Sequence, residues 1–387
     1  MWFDIPAPAP DHQAPPVAAS ALSANLYYGG PDQPPRALRD LLRARIEAAP
    51  PGSEIVWVTY YFRDTELADA LVTAQKRGVQ VRVMVEGRPR LAHANDEVIG
   101  ILRAGLGENL RLHKAWLPGL HLHAKIYAFS GPRPEAMIGS FNPSGDLDED
   151  DNKIIADIGD QDRGQNLLVG FTDPEVAHAL ESQALRTWAG RGFGRFGRHD
   201  NRAVRLTHAT LYYYPRLRPD VVERSIADLG PGDTLQAAVS HMGRSEFTEN
   251  LARAAERGAK VELVVHDTRR RVPDDVVADL GKAGVRVQRY CTADSLPMHA
   301  KFVVVQRHGR RLAWFGSLNY NLTSRYLNQE ILARSTDAQL IDDLTARFKV
   351  ISDQAARQPP GCEPKTRTVD EPPRAKTVAA ATTAVAP

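Results

Sequence analysis

Residues 66–90 read ELADALVTAQKRGVQVRVMVEGRPR, and residues 246–270 read EFTENLARAAERGAKVELVVHDTRR. The two stretches align without a gap at an offset of 180 residues. Each opens as an amphipathic helix, with apolar side chains recurring at i, i+4 and i+7 or i+8. Each helix stops at Arg-Gly, where Gly78 or Gly258 supplies a left-handed cap. Each then enters an apolar strand, VQVRVMV or AKVELVV. Working outward, a strand precedes each helix: EIVWVTYYF at 54–62 and TLQAAVSHM at 234–242. Strand, helix, strand at these lengths is a βαβ unit, which predicts parallel strands joined by a right-handed crossover.

Further along each copy, the spacing predicts a second helix (95–104; 274–283) and a short strand (LRLHKA; VRVQRY). The chain is therefore an α/β protein with an internal repeat. Half one is expected over roughly 22–190 and half two over roughly 205–356. Residues 1–21 and 357–387 are rich in Pro, Ala and Thr, carry no period that could bury a face, and are expected to be disordered. The connector, 191–204, lies in a Gly- and Arg-rich stretch, WAGRGFGRFGRHDNRAVR. It reads either as a contact for an anionic ligand or as a solvated link, and linkers of this composition favour the second.

The same point of both halves carries a chemical motif. His123-Ala124-Lys125 leads into HAKIYAF, and Gly139-Ser140-Phe141-Asn142 follows 14 residues after the lysine. His299-Ala300-Lys301 leads into HAKFVVV, and Gly316-Ser317-Leu318-Asn319 follows 15 residues after its lysine. Strand alternation would put each His and Lys on one face. The set suits a phosphodiester. Lysine offers a point charge to its non-bridging oxygens, while Asn and Ser offer neutral donors. Histidine titrates near neutrality, so one ring can attack while the other gives a proton to the leaving alcohol. Fixed positive charge then does the work of a metal, and no cofactor is expected. One H-x-K tripeptide means little in a chain with 12 histidines. Two, each followed by G-S-x-N and placed at matching points of a separate repeat, point to a composite site.

In these motifs the chain resembles the phospholipase D superfamily, over roughly 22–356. The resemblance implies two pseudo-twofold-related α/β/α halves with mixed, largely parallel sheets and a site between them. It implies a covalent phosphohistidine on one motif histidine and acid–base work by the other; the family analogy assigns the nucleophile to His123 and the acid to His299. It implies that Lys125, Lys301, Asn142 and Asn319 hold the phosphate, with Ser140 and Ser317 as further donors. The chain departs from the family pattern H-x-K-x4-D at Ser130 and Gln306. A family N-x-E stands in half two as Asn328-Gln329-Glu330, whereas half one has Asn166-Leu167-Leu168. The halves are thus unequal, and Glu330 is expected to orient one histidine.

Other features bound the reading. Tyr61 and His241 hold equivalent places at the ends of the first strands, open to pocket or core. His121 reads as a supporting or exposed residue, and Trp116-Leu117-Pro118 as an apolar lip. The acidic run 146–151 lacks the glycine and terminal glutamate of a calcium loop, so a solvated loop is expected, followed by a hairpin of KIIADIG and NLLVGF. The two cysteines, Cys291 and Cys362, form no zinc-like pair, and no disulfide framework is expected. There are 49 basic and 47 acidic residues, a balance that disfavours a general nucleic-acid coat. With neither a secretory signal pattern nor a long apolar run, the expected location is cytoplasmic, with peripheral membrane contact. A phospholipid or other alkyl phosphodiester is the leading substrate. A nucleic acid and a non-catalytic binding role remain as alternatives.

Overall fold

A computed structural model describes residues 24–114, 120–144, 163–193, 201–291 and 296–357. In half one, β1 (Ala24–Gly29), α1 (Ala37–Ala48), β2 (Glu54–Thr59), α2 (Thr65–Lys76), β3 (Gln80–Glu86), α3 (Asp96–Leu106) and β4 (Leu110–His113) lead to β5 (Ile126–Phe129), β6 (Glu135–Gly139), β7 (Asn166–Phe171) and α4 (Pro174–Trp188). Half two runs β8 (Val204–Arg205), β9 (Ala209–Tyr214), α5 (Val221–Ile226), β10 (Thr234–Val239), α6 (Glu246–Glu256), β11 (Lys260–His266), α7 (Asp274–Lys282), β12 (Arg286–Tyr290), β13 (Phe302–Arg307), β14 (Arg310–Gly316), α8 (Leu322–Tyr326), β15 (Glu330–Ser335) and α9 (Ala338–Ala356). The quoted repeat is therefore α2–β3 and α6–β11. Asp64 caps the first helix by accepting from the Leu67 N–H, and on the second Thr248 Oγ1 accepts from the Ser245 N–H at 3.0 Å.

Each half builds one sheet, ordered β1-β7-β6-β5-β2-β3-β4 and β12-β11-β10-β13-β14-β15-β9-β8. Only the βαβ units are parallel: β2–β3–β4 and β10–β11–β12. All other neighbours are antiparallel. The sheets are mixed, as expected, but not largely parallel. The reason is local. The strands after each His-x-Lys are joined by tight turns at 130–134 and 308–309, too short for a parallel crossover.

Three apolar clusters hold the layers. One lies outside the first sheet, against α1, α2 and α3. One lies outside the second, against α5, α6 and α7. The third joins the inner faces of both sheets through α4 and α9, so the halves share a core. Arg347 of α9 fastens the far edge, bonding Asp32 in half one at 2.6 Å and Gln165 Oε1 at 2.6 Å. Its charge takes Asp32 down to about 2, although burial pushes the other way. Cys291 is disulfide-bonded, against the expectation from sequence; Cys362 lies outside the described residues. So do the acidic run 146–151, the KIIADIG strand, the Trp116–Pro118 lip, both termini and residues 194–200 of the connector.

Candidate active site

Each motif precedes its strand rather than starting it, and is zipped to the opposite half. The His123 N–H donates to the Gln329 carbonyl and the Gln329 N–H to the His121 carbonyl, both at 2.8 Å. Correspondingly, the His299 N–H donates to Gln165 and the Gln165 N–H to Pro297, both at 2.9 Å. This pairing sets the residue beside each histidine. Glu330 Oε2 lies 2.8 Å from His123 Nδ1, and Asn166 Oδ1 lies 2.9 Å from His299 Nδ1. Both oxygens are acceptors, so each ring carries its proton on Nδ1 and keeps Nε2 for the cavity.

The serines stand behind these partners. Ser317 Oγ donates to Glu330 Oε2 at 2.5 Å and accepts from the Ile331 N–H at 3.0 Å. Ser140 Oγ donates to Asn166 Oδ1 at 2.9 Å and accepts from the Leu167 N–H at 3.1 Å. Both are fully buried. They brace the histidine partners and do not reach the cavity, which corrects their expected place on the phosphate. The glycines before them allow this approach. A Cβ on Gly139 would lie 2.1 Å from the Leu167 carbonyl oxygen, and one on Gly316 would lie 2.3 Å from that of Ile331.

A cavity of about 300 Å³ opens between the halves. His123, His299, Asn142 and Asn319 wall it, as do Tyr61 and His241. Asn142 Oδ1 accepts from the Tyr61 N–H at 3.3 Å, which leaves its NH2 free to face inward. Lys125 and Lys301 lie beneath the wall, their Nζ atoms donating to the carbonyls of His123 and His299 at 2.7 and 2.8 Å. Each ammonium retains two further N–H donors. His121 also reaches the cavity, with its Nδ1 3.9 Å from Glu86. Glu86 itself bonds His113 Nδ1 and the Leu122 N–H, both at 2.8 Å, and so anchors the start of motif one. Ser130 and Gln306 sit far from this cavity. Ser130 closes the end of the β2–β5 pair by bonding Glu54, and Gln306 faces Thr234 in the ladder.

Sequence reading missed Glu86 and three arginines of the wall, Arg90, Arg270 and Arg271. Arg90 and Arg270 carried a signal: they end the quoted repeat at matching positions. Glu86 carried none, because its partners come from β4 and the motif approach.

The electrostatics are one-sided. Burial, then the positive neighbour Lys125, takes His123 down to about 4, while Glu330 opposes the fall. Burial, then Lys301 and Arg271, pushes His299 well below its usual value, and the group on its Nδ1 is a neutral amide. Burial lowers Lys125 to about 7 and drives Lys301 well down, helped by Lys125 itself. Burial opposes ionisation of Glu330, but His123 and Lys125 outweigh it and keep the carboxylate charged. The two motif histidines and lysines are thus gathered around one carboxylate, Glu330, too little negative charge to restore them.

A family model described as "Cardiolipin synthase, PLD-like domain" matches residues 42–155 and 231–351. No curated protein matches. Among solved structures, phosphatidylserine synthase from Haemophilus influenzae Rd KW20 aligns at 12% identity with a TM-score of 0.62, covering 86% of each chain. Polyphosphate kinase from Porphyromonas gingivalis aligns at 17% identity with a TM-score of 0.54, covering 85% of this chain and 50% of that one. At these identities the likeness is one of fold.

Proposed function

We propose, from the premise that the chain belongs to the PLD-like family of phosphodiester-acting enzymes, that it cleaves a phosphodiester through a covalent phosphohistidine on His123. The observation that carries this reading is the crossed pairing of the two rings, His123 with Glu330 and His299 with Asn166, on one cavity. His123 Nε2 attacks phosphorus and the bond to the alkoxy oxygen breaks. His299, protonated at Nε2, gives that oxygen its proton. Water or an alcohol then attacks phosphorus, passing its proton to His299, and the P–N bond breaks to regenerate His123. The phosphoimidazole is cationic while it stands, and Glu330 is the group that stabilises it. Lys125, Lys301, Asn142 and Asn319 take the non-bridging oxygens. The incoming monoanion supplies the missing negative charge and raises His299 into the range where it can act as an acid.

The cavity mouth favours an amphiphilic substrate. Asn321, Thr323 and Ser324 of the α8 region wall it, while Leu322 and Leu327 beside them are 65% and 47% exposed. Such apolar exposure at the rim of a polar site fits a phospholipid head group with its tails outside. No helix among the described residues is long and apolar enough to cross a membrane, so the contact would be peripheral. The test is a panel of phosphatidylcholine, phosphatidylglycerol and single-stranded DNA, assayed with chelator. Head-group release that persists with chelator is the expected result. Nucleotide release without lipid turnover would overturn the substrate.

A further inference from the structure

A second cavity, of about 1220 Å³, lies on half two away from His123 and His299. Among the described residues seven arginines wall it, and no Asp or Glu does. In a chain whose formal charge is only +2, this is a marked segregation of charge.

The sheet explains the geometry. Register places Arg310 opposite Arg307, Arg334 opposite Trp314, and Arg205 opposite Thr210. Alternation then puts Arg307, Arg310, Arg334 and Arg205 on the sheet face that carries Trp314 and Tyr212. Helices cover that face over β10–β12, and here α5 borders the cavity through Val221, Arg224 and Ser225. The row crosses five adjacent strands, β13 to β8, or ~19 Å at ~4.8 Å per strand. Like charges on neighbouring strands repel, so the row is kept against a local penalty. Arg224, Arg307 and Arg311 are matched by Asp220, Asp228 and Asp342 outside the cavity. Arg205, Arg310 and Arg334 make no salt bridge among the described residues. Arg216 stacks over Tyr212, 5.1 Å from the ring centroid, and its Nη1 is buried with no hydrogen-bond partner.

We propose that this groove is a non-catalytic binding site for a single-stranded nucleic acid. Arginine forks match phosphodiester oxygens, and ~19 Å spans several successive phosphates. Tyr212 and its stacked guanidinium offer a flat surface to a base. A concave groove excludes a flat membrane surface and admits a flexible chain. The groove lies at the opposite end of β13 from Lys301, six residues or ~20 Å along the strand, so a bound strand need not enter the histidine cavity.

The experiment is fluorescence anisotropy of a labelled 20-residue oligothymidylate with the full chain, in parallel with cosedimentation on phosphatidylglycerol vesicles. The Arg310→Glu/Arg334→Glu variant is expected to lose at least about tenfold in oligonucleotide affinity and to flatten its salt dependence. Turnover of bis-p-nitrophenyl phosphate should stay unchanged, and His123→Ala should bind the strand like the wild type. Should the double variant fail to fold, Arg310→Gln and Arg205→Gln singly carry the same comparison with a severalfold loss. Oligonucleotide affinity untouched by the arginine changes would overturn the proposal. So would loss of binding in His123→Ala alone, which would put the strand in the catalytic cavity. Vesicle binding without strand binding would overturn it in favour of a lipid surface. None of these outcomes depends on which diester the histidine cavity cleaves.

Discussion

His123 and His299 reach one cavity from opposite halves, and the groups that hold their Nδ1 atoms correspond one for one. Each Nδ1 is held by a side chain from the other half, each holder is braced by a serine, and each serine follows a glycine that lets two strands close. The difference is one functional group: a carboxylate behind His123, an amide behind His299. A repeat that kept both copies identical would give two equal bases. Here the carboxylate favours positive charge on one ring, and the amide leaves the other ring neutral more readily. The first property suits a nucleophile that must carry phosphorus, and the second suits an acid that must release its proton.

The largest effects should separate the rings themselves. His123→Ala is expected to lower turnover by at least about 10⁴-fold for every substrate. His299→Ala should lose about 10² to 10⁴-fold on alkyl esters but recover much of this on a p-nitrophenyl ester, whose leaving group needs no proton. Rapid-quench trapping should then find phosphate on His123 in the His299→Ala protein. Phosphate mapped to His299 instead would reverse the assignment of roles.

The next pair of changes exchanges the holders. Glu330→Gln makes the halves alike and should slow phosphoenzyme formation by about 10- to 150-fold, the worth of a hydrogen bond to a charged group at ~1.5–3 kcal/mol. Ring titration by NMR gives the sign. The carboxylate raises His123, so its removal should lower the ring below about 4. Asn166→Asp should raise His299 from its depressed value. Inorganic phosphate added to the wild type should raise both rings, since burial and the neighbouring cations lower them now. Rings that ignore phosphate would show that the anion does not sit between them.

Much of this plan was legible in the chain. The gapless repeat, the two H-x-K…G-S-x-N sets and the lone Glu330 are all local patterns. What stayed hidden depends on how the two halves meet. Asn166 was visible only as the missing counterpart of an acidic residue, because nothing within half one says that it faces His299; the Gln165–His299 backbone pairing does that. The serines were misplaced for a related reason. Alternation would put Ser140 with Asn142 and Ser317 with Asn319, but β6 and β14 end at Gly139 and Gly316. Beyond a strand end the period of two no longer applies, and serine and asparagine part company. The same limit displaced the His-x-Lys pairs from strands into the approach to them.

Those serines give the smallest and most discriminating contrast. Ser317 donates to a charged carboxylate and Ser140 to a neutral amide, so equal deletions should have unequal effects. Ser317→Ala removes a charge-assisted bond and frees Glu330 to turn from His123; about a 10-fold fall in kcat is expected, with little change in KM. Ser140→Ala removes a neutral bond worth about 0.5–1.5 kcal/mol, so a severalfold fall is expected, confined to substrates with poor leaving groups. Both serines also accept a backbone N–H, so each variant leaves one buried donor unpaired and should lower thermal stability to a similar degree. Stability therefore controls for folding while kcat reports on the site. Equal losses of kcat would mean that the two holders do the same work, and the asymmetry between carboxylate and amide would then have no part in the chemistry.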